Sequence, residues 1–272
     1  MRITVGHAIV IIMIVACAVY AAAISIAFPG YLYIPSSPWW SHLWTTYIFL
    51  VTWVVLGITA LIARFAPKEK REVPVKKSTG ASNPGGEEKR ARVWITSREA
   101  GVIAAFGAVG FAWNALGLIV VFFPPASWTL SNPLAYIGAI ATGPFGGIIL
   151  GLTSALMLYS MLADILDWIF TINFPAMLAY WAIKDVIKPI RYPLLFIQSF
   201  FIMQEDVWAW SIWMAFPFKL FPPETLWSFN LIPIVPWSLL NAIIITVIVA
   251  LVDQFAPGLL RPTWFDRYIG KA

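Results

Sequence analysis

Gln204, Glu205 and Asp206 stand side by side inside an otherwise apolar run from Tyr192 to Phe216. A carboxylate at bilayer depth is costly, and it normally faces a cavity or a partner. On a helix, Gln198, Phe201, Glu205, Trp208 and Ile212 share one face, and Asp206 lies about 100° around from Glu205. An acid, an amide and an indole in a line can wall a pocket. Carboxylates accept from donor groups, and indoles stack on a ring or hold its charge. The chemistry suits a cationic or donor-rich heterocycle. Asn114 and Asn241 are further polar positions in neighbouring apolar segments and join this candidate substrate site.

Other polar residues carry a plainer expectation. Asp164 and Asp167 read as a helix end near water. Their spacing could hold Mg²⁺, but further acidic partners are lacking. Most tryptophans, among them Trp168, Trp210 and Trp213, read as interface anchors. His7 and His42 stand alone, Cys17 is a single small apolar-helix residue, and no metal-ligand cluster or phosphate-binding glycine loop is present. No cofactor is expected. An intramembrane enzyme using Glu205 or Asp206 would be a general acid without a nucleophile–base pair. We therefore expect a non-enzyme.

The elements that position these residues are membrane helices. The chain of 272 residues is 60% hydrophobic and 11% charged, with mean hydropathy +0.81. Soluble domains carry about 25% charged residues. A spanning helix needs about 20 apolar residues, which Ala8–Phe28 and Tyr47–Ala66 supply. Between them "GYLYIPSSPWWSHLW" suits an interfacial belt. Residues 67–97 are polar and rich in Pro and Gly, a flexible linker on the cytoplasmic side. Ala100–Phe123 follows. Leu134 to Phe170 would be about 55 Å long as one helix, far beyond a ~30 Å core. "TGPFGG" at 142–147 offers a reversal, giving spans at Ser131–Thr142 and Gly146–Trp168. Ile172–Ile187, Tyr192–Phe216 and Leu231–Phe255 complete eight.

Positive residues favour this count. With eight spans and the N-terminus inside, 17 of the 18 Lys/Arg are cytoplasmic and Lys219 alone is outside. A single crossing at 134–170 would leave a split of 12 to 6. The expectation is a multi-pass protein of the plasma membrane with both termini cytoplasmic. Its net charge of +5 reflects topology and contact with the lipid bilayer, not nucleic acid. Residues 1–28, with Arg2 and "AVYAAA", also fit a cleavable signal peptide, though the apolar core is long for one.

Ala100, Ala104, Ala108 and Ala112 recur every four residues, a narrow small-residue stripe that lets another helix approach closely. Packing within the chain and docking of another subunit both fit. Gly143, Gly147 and Gly151 repeat the spacing and fit close packing in the bundle.

"ITSREAGVIAAFGAVGF" followed by "NPLAYIGAIATGPFGGIILGLTSAL", with the Pro-rich opening "LIPIVPWSLLNAII" of the last span, resembles the substrate-binding membrane subunits, or S components, of energy-coupling-factor (ECF) vitamin importers. The resemblance covers residues 94–256. It implies an all-α polytopic protein, with a six-helix bundle over 98–260, an extra N-terminal hairpin over 1–66 and a tail at 261–272. It implies a small-molecule ligand such as a vitamin. Its implied partners are a transmembrane coupling subunit, docked on Ala100, Ala104 and Ala108, and separate ATP-binding subunits. Ala155 stands where that family often has an Asp. The alternative is an accessory or assembly subunit of a membrane complex, without a ligand of its own.

Overall fold

In the computed structural model, residues 4–27, 39–69, 94–118, 120–123, 126–155, 161–215, 225–256, 258–260 and 263–268 are described. The linker's 70–93, most of the aromatic loop at 30–38, and Lys219 lie outside them. The described chain is overwhelmingly helical: α1 (Val5–Ala27), α2 (Trp39–Phe65), α3 (Ser97–Ala115), α4 (Ser131–Ala155), α5 (Met161–Asp167), a π-helical stretch (Trp168–Asn173), α6 (Phe174–Ile183), α7 (Lys188–Ala215), α8 (Thr225–Phe255) and α9 (Thr263–Tyr268). Among the described residues, five segments are long and apolar enough to cross a membrane: Val5–Ile24, Ile48–Phe65, Ser131–Thr153, Asp164–Ile183 and Ile234–Phe255. This is a helical membrane protein. Large apolar side chains such as Ile12, Val15, Val19, Leu50, Val54 and Leu61 face outward from α1 and α2, as lipid requires.

Ser131–Thr153 does not run straight. Gly143 has φ 78° and ψ −171°, a backbone that favours glycine, and Pro144 follows, unable to donate a helical hydrogen bond. Ala139 Cβ lies 3.6 Å from where a Cβ on Gly147 would be, and Leu150 touches Gly138. Residues eight apart in a straight helix are about 12 Å apart. The chain therefore reverses at Gly143 into two arms, 131–142 and 144–155, as "TGPFGG" foretold. The second arm runs antiparallel to the next helices. Gly147 meets Asn173 and Met177, while Gly151 meets Ile169 and Trp168. Absent Cβ atoms let these helices close to contact distance.

Three expected boundaries move. The chain is helical from Met161 to Ile183, so there is no break between Trp168 and Ile172. Asn173, inside this continuous helix, donates from Nδ2 to the Gly147 carbonyl at 2.6 Å and is buried. The third span ends at Ala115 rather than Phe123. Gly117 at φ 65° turns the chain, and Val120–Phe123 pairs antiparallel with Ala126–Trp128 as β1 and β2. This small hairpin is a departure from the all-α expectation. Lastly, α9 is docked, not trailing: Trp264, Phe265 and Tyr268 are buried, and Trp264 sits against Gly143.

One end of the bundle is tied by charge. Arg191, 4% exposed, bonds Glu69 at 3.1 Å and Asp253 at 2.7 Å, joining the end of α2 to α7 and α8. Lys68 pairs with Val186 as a β-bridge. Arg98 donates to the Leu259 carbonyl. Thr4 Oγ1 donates to the Tyr268 carbonyl at 3.1 Å. Thr96 and Glu99 form a reciprocal cap on α3, and Arg267 of α9 bonds Glu99 at 2.8 Å. Burial alone would raise the Glu99 carboxyl. The Arg267 bond and the Thr96 backbone N–H outweigh it and hold the group below the usual glutamate value.

Candidate functional site

The acids of α7 are inside the protein. Gln198, Gln204, Glu205 and Asp206 are all nearly inaccessible, as are Trp208 and Asn241. The two carboxyls point to different neighbours, as adjacent helical positions must. The Thr52 and Trp53 side chains of α2 lie beside Glu205. Gln198, two turns earlier on that face, donates from Nε2 to Thr59 Oγ1 at 2.8 Å and to the Ala179 carbonyl at 3.3 Å. Thr52 Oγ1 also donates to the Phe201 carbonyl at 3.3 Å. Helix α2 thus covers the face that the sequence marked as a pocket wall. The N-terminal hairpin is part of the site's surroundings.

Glu205 Oε2, Gln198 Oε1 and Gln204 Oε1 are buried without a hydrogen-bond partner. An unmet buried acceptor costs about 1–3 kcal/mol. Two of them, Gln198 and Glu205, share one helical face, and that face is the binding candidate.

Asp206 turns the other way, toward the π-helical stretch. Pro175 has no N–H to offer Thr171, one turn back, and the Phe174 N–H bonds Ile169, five residues back. The ladder widens there, the mark of a π-bulge. Thr171 Oγ1 lies 2.5 Å from the Asp167 carbonyl oxygen and 3.0 Å from Asp206 Oδ1. Asp167 in turn accepts from the Tyr20 hydroxyl of α1. Trp213 Nε1 donates to Tyr20 Oη at 2.9 Å.

This second cluster was not legible in the sequence. Asp164 and Asp167 were expected at a watery helix end, yet they are 6% and 0% exposed. Trp168 and Trp213 were expected at the interface. Trp168 is buried beside Gly151, and Trp213 belongs to the cluster. The i, i+4 spacing of Asp167 and Thr171 was the available signal. Tyr20, 147 residues away, offered none.

The asparagines do not join these acids in the bonds they make. Asn114 Oδ1 accepts from Thr129 at 2.7 Å and Ser131 at 2.9 Å, fixing the turn between α3 and α4. Asn241 Nδ2 donates to the Trp237 carbonyl of its own helix at 2.9 Å. Among the described residues, no group of three or more His, Cys, Asp or Glu could hold a metal ion. An open groove lined by Leu61, Ile62, Phe65, Ala66 and Ile190 is wholly apolar in its lining residues and offers no chemistry.

Ala100, Ala104, Ala108 and Ala112 are all exposed, while Val102, Gly107, Gly110 and Asn114 form the buried face of α3. The stripe does not pack within the described chain. Gly107 and Gly138 hold α3 against α4 instead.

Compared with family models, curated proteins and solved structures, the chain matches none.

Proposed function

We propose that the chain is the membrane-embedded substrate-capture subunit of an ATP-driven importer, an S-component-like protein that borrows its ATPases through a coupling subunit. The observation that carries this reading is the bare alanine stripe on α3. One face of that helix is closed on α4 by glycines, and the opposite face keeps small residues every four positions toward the outside. Small side chains give lipid little to pack against but allow a partner helix to approach closely. The buried, incompletely bonded polar face of Gln198 and Glu205 supports a small-molecule ligand with donor groups, such as a cationic heterocycle.

In this reading α1, α2, α3, the two arms of α4, the helix from Met161 to Ile183, α7 and α8 are eight passes through the plasma membrane. The end carrying Arg98, Arg191 and Arg267 is cytoplasmic, as the positive-inside rule asks. The hairpin 1–66 covers the Glu205 face.

The test is co-purification from native membranes in mild detergent. A coupling membrane protein with ATP-binding subunits is the expected company. Loss of that company on Ala104→Trp, with the protein still folded, is the second expected result. Recovery of the chain alone, or an unchanged complex with Ala104→Trp, overturns the assignment.

A second reading, an accessory subunit without a ligand, has its own supporting observation. Thr52, Trp53 and Thr59 already occupy the Glu205 face. Under that reading the acids serve to hold α2 on α7.

A further inference from the structure

Asp167 and Asp206 are linked across the seam between α5 and α7 by the Thr171 hydroxyl, which contacts the Asp167 main-chain carbonyl and the Asp206 carboxyl. Asp167 and Thr171 are fully buried and Asp206 is 4% exposed. Protons can be counted here. A hydroxyl owns one. Trp213 Nε1 donates to the Tyr20 oxygen, so the Tyr20 proton goes to Asp167 Oδ1. The Thr171 hydroxyl faces two acceptors, the Asp167 carbonyl and Asp206 Oδ1, and serves one. The second contact is completed when Asp206 itself carries a proton and donates to Thr171. Asp167 Oδ2 remains buried with no hydrogen-bond partner.

Charge leads to the same place. The groups facing the pair are Tyr20 of α1, Asp164 of α5, and Glu205 and Trp213 of α7; the charged ones acting on the two carboxyls are acids. Two carboxylates buried on one seam, with other acids beside them, do not both stay ionised without a cation. Thr171 lies in the widened π-helical stretch, and its hydroxyl reaches Asp206 from there.

We propose that Asp167 and Asp206, gripped by Tyr20 and Thr171, form an intramembrane site for one exchangeable proton. It is separate from the Gln198–Glu205 face and does not rest on the transport reading. Loss of the proton to water would leave two buried charges across α5 and α7, so occupancy would govern how tightly α1 and α7 close on the π-helical stretch.

The test uses the purified full chain in detergent and dicyclohexylcarbodiimide, which reacts with protonated carboxyls in apolar surroundings. The acid proton moves to one carbodiimide nitrogen, the carboxylate oxygen adds to the central carbon, and acyl transfer to nitrogen leaves an N-acylurea that peptide mass spectrometry locates. The expected result is an adduct on Asp167 or Asp206 at pH 6. It should fall about tenfold for each unit once the site's titration is passed. Thr171→Val, which keeps the shape but loses the hydroxyl, should shift the midpoint of that curve. Labelling confined to Glu205, or labelling of the pair that does not change from pH 6 to pH 9, overturns the proposal. So does protection by Na⁺ with no pH dependence, which would make the site one for a metal cation.

Discussion

The Arg267 guanidinium reaches the Glu99 carboxylate at 2.8 Å across 168 residues of chain, and the Glu99 side chain is wholly inaccessible. This pair ties α9 to the first turn of α3. It also secures Trp264 over Gly143, where the α4 hairpin reverses. Removing one partner of a buried pair costs about 3–5 kcal/mol; because Arg267 is partly exposed, Arg267→Ala should cost nearer ~3 kcal/mol. Thermal unfolding in detergent measures it. The folded glutamate sits below its ordinary value, so the pair's contribution is complete above that ordinary value and disappears as pH falls through the lowered one. The stability gap between the native chain and Glu99→Gln should therefore close in acid. A constant gap down to pH 3 would show that the pair contributes nothing electrostatic.

Gly143 should tolerate no side chain. A Cβ there would lie 2.8 Å from Trp264 Cβ, and its φ of 78° costs a non-glycine residue about 1–2 kcal/mol. Gly143→Val should lower folded yield sharply. Adding Trp264→Gly, which removes the clashing Cβ together with the ring, should recover the steric part only, since the backbone penalty stays. Full recovery by the double variant would mean the φ value is not held in the membrane.

The reversal at Gly143 was legible because its cause is local: one glycine, one proline and a length that no bilayer fits. The alanine and glycine spacings were legible as stripes, but which stripe faced inward was not. That depends on what α3 meets, and α4 takes Gly107 and Gly110. The burial of Asp167 was hidden for the opposite reason. Its partners come from α1 and α7, and the π-helical widening shifts the face it presents. The continuity of the helix through Asn173 was hidden in the same way, because the carbonyl that Asn173 bonds, on Gly147, lies 26 residues back.

The two faces of α3 should respond in opposite ways. A Cβ at Gly107 would lie 2.9 Å from Thr153 Oγ1, so Gly107→Leu should separate α3 from α4 and destabilise the chain by a few kcal/mol, roughly the 1–3 of overpacking. Ala108→Leu adds bulk to an exposed position and should leave the melting temperature within the ~0.5 kcal/mol scatter of surface changes. If the chain is the importer subunit proposed above, the effect should appear in co-purification with a coupling subunit and in uptake. If Ala108→Leu destabilises the isolated chain as much as Gly107→Leu, the stripe is packed within the chain and carries no partner.

Glu205 separates the two functional readings. Glu205→Gln keeps the side chain's shape and its contacts with Thr52 and Trp53, and removes only the capacity for negative charge. A ligand cation held by that charge should lose roughly tenfold or more in affinity, as expected when a charge-assisted bond worth about 1.5–3 kcal/mol is weakened. Gln198→Leu, which breaks the bond to Thr59, serves as the comparison. It should loosen α2 and reduce stability by about 1–3 kcal/mol, because it leaves Thr59 without that donor in a buried place. Binding of a panel of donor-rich heterocycles, measured by calorimetry on both variants, gives the answer. Affinity lost with Glu205→Gln at unchanged melting temperature assigns the carboxyl to the ligand. Lower stability in both variants, with no heterocycle bound by the native chain, makes Glu205 part of the α2–α7 seam and favours the accessory subunit.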